Sequence, residues 1–87
     1  MNAPKILSVQ AFENKKLRVK FENGVIKVYD CAQLLNLGVF HFLKTDAFFK
    51  SVKVDTGGYG VSWNDDIDLS EYELWTNGVE TVLAAQE

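Results

Sequence analysis

Cysteine, proline and histidine occur once each in this chain, and no Lys or Arg follows residue 53. The single Cys31 cannot close an internal disulfide, which excludes the stapled mini-proteins of oxidising compartments and makes a cytoplasmic location the expectation. One Cys and one His also fall short of the ligand set of a structural zinc site. Pro4 stands at the N-terminus, so no proline interrupts the elements beyond it. The apolar runs are short and broken by Lys, Asp or Gly, far below the about 20 residues that span a bilayer. Residues 1–6 show neither the basic start nor the apolar stretch of a signal peptide.

The 87 residues suit one domain, 1–87. A chain this short buries only about two thirds of its unfolded surface, so its core must be dense. Its 47% hydrophobic and 13% aromatic content answers that need and excludes a disordered composition. Charge is unevenly spread. Residues 1–53 hold all nine bases and four acids, a balance of +5, and residues 54–87 hold eight acids, a balance of −8. Attraction between the two halves within one fold accounts for this; a basic face for a polyanion is the competing account.

Residues 5–12 predict a first strand with Leu7, Val9 and Ala11 on one face. Leu17, Val19 and Phe21 alternate with Lys16, Arg18 and Lys20, the period of a half-buried strand. Asn23-Gly24 then predicts a two-residue type I′ turn into Val25–Tyr29. That turn sets Phe21 opposite Ile26 and Val19 opposite Val28 on the inner face. It sets Lys20 opposite Lys27 on the outer one, with Glu22 placed diagonally. Asp30 is read as the cap of a short helix over 31–35, with Gly38 as a stop. Residues 39–44 fit either a helical turn or an extended segment. Thr45 or Asp46 caps another turn carrying Phe48 and Phe49. Val52 and Val54 mark a further strand. A turn at Thr56–Gly58 leads into a strand with Val61 and Trp63 inward, and Ile67 and Leu69 mark a last strand. Ser70 and Glu73 form a capping box, and Asn77-Gly78 closes the helix behind it. Residues 79–87 read as a frayed or weakly helical tail. The expected architecture is α+β: a small antiparallel sheet of about five or six strands with short helices packed on it.

Four pieces of this pattern resemble a known family in order. They are the hairpin from Phe21 to Asp30, the run Leu34-Leu35 with Gly38-Val39-Phe40, the segment from Asp46 to Val54, and Trp63 followed by Asp68-Leu69. Together they resemble domain-of-unknown-function family 2442, small bacterial proteins, over roughly residues 5–75. Where that family usually carries Trp-Pro-Asn-Gly, this chain has Trp63-Asn64-Asp65-Asp66. The resemblance implies a small α+β fold, and it implies no established activity and no catalytic residue. It also implies a neighbouring small protein, and so a two-protein system.

Few residues here suit chemistry. His41 lies between Phe40 and Phe42 and reads as a partly buried structural histidine, since nothing identifies a group to orient it. Cys31 at a helix start could be a nucleophile but reads as a small buried hydrophobe. Asn64, Asp66, Asp68 and Ser70 have the alternate spacing of a calcium loop. The Gly and Glu that such a loop demands are Leu69 and Trp75 here, so at most a weak divalent ion at Asp65, Asp66 and Asp68 is left open. Gly57-Gly58-Tyr59-Gly60 lacks the Lys of a phosphate loop. Lys16, Arg18, Lys20 and Lys27, with Tyr29 beside them, form the candidate nucleic-acid face. No catalytic residue, cofactor or metal is assigned. The leading expectation is a non-enzymatic module that binds a protein partner through its apolar middle segment. The alternative is a nucleic-acid-associated regulatory domain.

Overall fold

The alternation of Leu17, Val19 and Phe21 with three cations becomes an interior strand of an antiparallel sheet. The computed structural model describes residues 3–81. In it β1 (Ile6–Phe12), β2 (Lys16–Phe21), β3 (Ile26–Asp30) and β7 (Val79–Glu80) form a sheet in the order β1-β2-β3-β7. A second sheet is built from β4 (Lys53–Val54), β5 (Gly60–Asn64) and β6 (Ile67–Ser70) in sequence order. Helical structure is short: 3-10 segments at Cys31–Leu34, Gly38–Lys44 and Thr56–Gly58, and α-helices α1 (Asp46–Phe49) and α2 (Glu71–Asn77). The fold is therefore α+β, with its strands divided between two sheets instead of sharing one. Both sheets turn an apolar face to one core. Leu17, Val19, Phe21 and Tyr29 come from the first and Val61, Trp63, Ile67 and Leu69 from the second. Leu43, Phe49 and Leu74 close it from the helical side.

The β2–β3 hairpin departs from the expected register by one residue. Its loop has three residues, Glu22, Asn23 and Gly24, closed by Phe21 N–H to the Val25 carbonyl at 2.9 Å. Only Gly24 takes a positive φ, +89°, so the turn is not type I′. Leu17 faces Tyr29, Val19 faces Lys27 and Lys20 faces Ile26. A one-residue slip moves every side chain of a strand to the other face. β3 permits this because Ile26 and Val28 on one phase are nearly as apolar as Val25 and Tyr29 on the other. Tyr29 takes the core, at 1% exposure.

A second departure lies in β1. Ile6 pairs with Phe21 and Ser8 with Lys20, so Leu7 is an extra, bulged residue. Ile6 is thereby buried and Leu7 exposed. The capping box forms in half. Ser70 Oγ accepts the Glu73 N–H at 3.1 Å, whereas the Glu73 carboxylate takes the Tyr29 hydroxyl at 2.8 Å. Val79 and Glu80, expected in a tail, pair with Val28 and Lys27 as β7. Residues 82–87 lie outside the described residues. No helix among the described residues is long and apolar enough to cross a membrane.

Candidate functional site

The hairpin register decides what the basic face contains. Lys16, Arg18 and Lys20 share the face of the first sheet that looks away from the core. Lys27 and Tyr29 do not, since they stand opposite Val19 and Leu17 on the covered face. Lys27 runs under α2, where its ammonium lies 4.0 Å from the centre of the Trp75 ring and donates to the Trp75 carbonyl. The Trp75 ring in turn meets Phe21 edge-on at 5.0 Å. Burial, together with the Glu73 carboxylate that its hydroxyl donates to, raises the Tyr29 pKa above the usual phenol range. The face left to a nucleic acid therefore has three cations and no stacking tyrosine. Arg18 is also engaged, donating to Gln10 of β1.

Cys31 and His41 are not placed as a pair. Cys31 is buried beneath the end of β2, and its N–H donates to the Lys15 carbonyl at 2.8 Å. Burial and the Asp30 charge push its thiol up to about 12, the reverse of an activated nucleophile. His41 is exposed, not partly buried as the flanking phenylalanines suggested. Its Nδ1 lies 2.9 Å from the Gly38 carbonyl, so that nitrogen carries the hydrogen, and its ring lies against Phe42. Lys15, whose carbonyl accepts the Cys31 N–H, has a left-handed φ of 59°, a conformation costing about 1–2 kcal/mol outside glycine. Its ammonium pairs with Asp46 and lies 5.3 Å from the Phe49 ring centre, which holds it there. The Lys15 hydrogen bond and charge hold the Asp46 carboxyl below its usual range.

In the acidic loop, Asn64 Oδ1 accepts the N–H groups of Asp66 and Ile67, both at 2.9 Å. This side-chain turn performs the reversal without the Pro-Asn-Gly of the related pattern. Asp65 and Asp68 border a shallow hollow of about 210 Å³ with Asp55, and Asp66 is not among its lining residues. The Ser62 hydroxyl donates to Asp55 there at 2.6 Å. Among the described residues no group of three or more His, Cys, Asp or Glu side chains is placed to hold a metal ion.

The middle segment shows what its periodicity did not. Leu37, Val39 and Phe42 are 55, 44 and 52% exposed around the 3-10 turns of residues 38–44. In a 3-10 helix successive turns stack every third residue. Phe40 and Leu43 therefore face the core together, leaving Val39 and Phe42 outside. The alternative of an extended strand here had hidden that split.

Taken together, the fold and its surfaces define a small two-sheet α+β domain with an exposed apolar segment and a separate basic sheet face. The chain belongs to the family described as "Protein of unknown function (DUF2442)", whose profile matches residues 6–80. The comparisons found no match among curated proteins and none among solved structures.

Proposed function

We propose that the chain is a non-enzymatic protein-interaction module of the bacterial cytoplasm, and that its contact surface is the apolar segment around residues 37–42. The observation that carries this reading is the half-exposure of Leu37, Val39 and Phe42 together on one short stretch. Burying the exposed half of each contributes roughly 1 kcal/mol, at about 25 cal/mol per Å². Aromatic anchors of this kind dominate protein interfaces. Cys31, buried with its thiol pKa raised, and His41, exposed, are not arranged as a nucleophile and its base, which is in keeping with this reading. The nucleic-acid alternative is the weaker one, because Lys27 and Tyr29 have left the basic face.

The experiment is affinity capture in the native host with the full chain and with a Leu37→Asp, Phe42→Asp variant. Both side chains are half in water already, so the variant should melt near the parent. A protein held by the parent and lost by the variant supports the reading. Equal capture by both, or capture of nucleic acid alone, overturns it.

A further inference from the structure

The 3-10 segment Gly38–Lys44 presents three ridges, because its residues repeat at every third position. Phe40 and Leu43 form the ridge turned to the core. Val39 and Phe42 form an exposed apolar ridge, and His41 and Lys44 an exposed ridge beside it. The His41 ring lies on Phe42 with centres 4.2 Å apart, which widens the apolar strip. Phe48 of α1 also meets Phe42, at 6.3 Å, and Lys50 follows it at the C-cap of that helix. Charge around the strip has one sign. Residues 31–45 contain no acid, and Asp46 is engaged by the Lys15 ammonium. Lys44 and Lys50 are exposed, and among the described residues neither side chain has a hydrogen bond or ion pair. Lys50 adds only a weaker pull on Asp46, after that of Lys15. Lys15, Lys44 and Lys50 against Asp46 leave a surplus of two positive charges beside an exposed apolar ridge.

We propose that this corner of the molecule docks a short acidic segment of a partner protein, its apolar anchors on Val39 and Phe42 and its carboxylates on Lys44 and Lys50. The proposal rests on the interaction-module reading and adds the chemistry of the partner. The size of the strip selects a short segment. Half of three apolar side chains is on the order of 250 Å², far below the roughly 800 Å² per partner of a lasting interface. A segment that orders itself on binding makes small contacts of this kind, and they are transient. The spacing suits such a segment. One 3-10 turn sets Val39 and Phe42 about 6 Å apart along the axis, close to the roughly 6.7 Å between alternate residues of an extended chain. A second copy docking symmetrically is disfavoured, because Lys44 and Lys50 would meet their own counterparts. An anionic bilayer is disfavoured by the rest of the surface. A bilayer faces a whole side of a molecule whose net charge is −3, whereas a peptide within the Debye length of about 8 Å senses mainly the local cations.

The test titrates the full chain with three synthetic peptides that share a Phe-x-Leu core and differ only in their flanking residues, which are Glu, Gln or Lys. The Glu peptide should bind most tightly, the Gln peptide about fivefold more weakly and the Lys peptide more than about tenfold more weakly. Lys44→Glu with Lys50→Glu should reverse the order of the Glu and Lys peptides, which a folding defect would not do. Lys20→Gln, on the sheet face, should leave all three affinities unchanged. Phe42→Ala should weaken all three about tenfold while keeping their order. No peptide binding, equal affinity for the three, or an order that survives the charge reversal overturns the inference. So does Phe42-dependent self-association of the chain, or Phe42-dependent binding of phosphatidylserine vesicles in place of the peptides. If the peptide order fails while Leu37→Asp, Phe42→Asp still abolishes partner capture, this inference alone falls and the interaction-module reading stands. If capture is indifferent to that variant, both fall.

Discussion

Trp63 joins packing and hydrogen bonding in one side chain. It is 6% exposed, stacks on Phe49 with ring centres 6.1 Å apart, and donates its indole N–H to the Phe49 carbonyl at 2.8 Å. Truncating a buried aromatic costs about 3–5 kcal/mol, and a domain of this size is stable by only about 4–13 kcal/mol. Trp63→Ala should therefore bring urea unfolding close to zero denaturant, and Trp63→Phe should fall between it and the parent. A Trp63→Ala melt within a degree or two of the parent would show that the ring contributes little. Two other buried groups set an alkaline limit. Folding lifts the Cys31 thiol from 9.0 to about 12 and raises the Tyr29 hydroxyl above 10.0. In both cases the unfolded chain loses its proton first, so deprotonation favours unfolding. Their contribution is complete below about pH 8.5 and is lost as pH rises through the folded values. The urea midpoint should decline between about pH 9 and about pH 11, and Cys31→Ala and Tyr29→Phe should each flatten that decline. In the native state Cys31 should react with a thiol reagent only as fast as the chain opens. Reaction at the rate of a free cysteine would contradict its burial.

At the scale of elements, two glycines with similar backbones have different reasons to be glycine. Gly24 has φ +89° and open space around the position of a Cβ. Gly58 has φ +77°, and a Cβ there would lie 2.5 Å from the Ile6 carbonyl oxygen and 2.9 Å from the Ile6 nitrogen. Gly24→Ala should cost only the left-handed strain, about 1–2 kcal/mol. Gly58→Ala must also push β1 away from the second sheet and should cost several times more, or prevent folding; equal melting temperatures for the two would show that this approach is not tight. The sequence expressed these elements unevenly. Strands with one apolar phase were legible, as in β2, in β6 with Ile67 and Leu69, and in the Val61 and Trp63 pair of β5. So were the Asp30 and Ser70 caps, whose side chains accept from the Ala32 and Glu73 amides. β3 was not, because Val, Ile, Lys, Val and Tyr offer apolar groups on both phases. Asn-Gly supports a three-residue loop as well as a two-residue one when only the glycine must turn left-handed. That ambiguity carried straight into the candidate site, since it decided the side on which Lys27 and Tyr29 lie. The exposure of Leu37 and Phe42 depends on a 3-10 periodicity that a short apolar run does not declare.

At the scale of the whole molecule, the opposed charges of the two halves are in part neutralised internally. Lys5 pairs with Glu71 at 3.4 Å, and Lys27 is drawn under the acidic helix α2 toward Trp75. The outer sheet face offers a polyanion the β2 row of Lys16, Arg18 and Lys20, with Lys16 opposite Asp30 and Arg18 already donating to Gln10, on a chain of net charge −3. If that row bound duplex DNA with about one phosphate per cation, log affinity would fall against log salt with a slope near −2.7, from about 0.9 per contact. Lys20→Gln would then remove about a third of the slope, and Lys27→Gln would leave it unchanged. The two substitutions should separate in stability in the opposite sense. Lys20 is exposed and its loss should be felt within about 0.5 kcal/mol, whereas Lys27→Gln gives up a cation–π contact of about 0.5–2 kcal/mol. The expected outcome is that neither single- nor double-stranded oligonucleotides bind measurably at physiological salt, because the net negative charge repels them and the Tyr29 ring faces the core, leaving Phe12 opposite Lys16 at one end of the row. Titrations at two salt concentrations, with the parent and both variants, check this. Tight binding with a slope that Lys20→Gln reduces would reverse the ranking and make the sheet face a nucleic-acid interface.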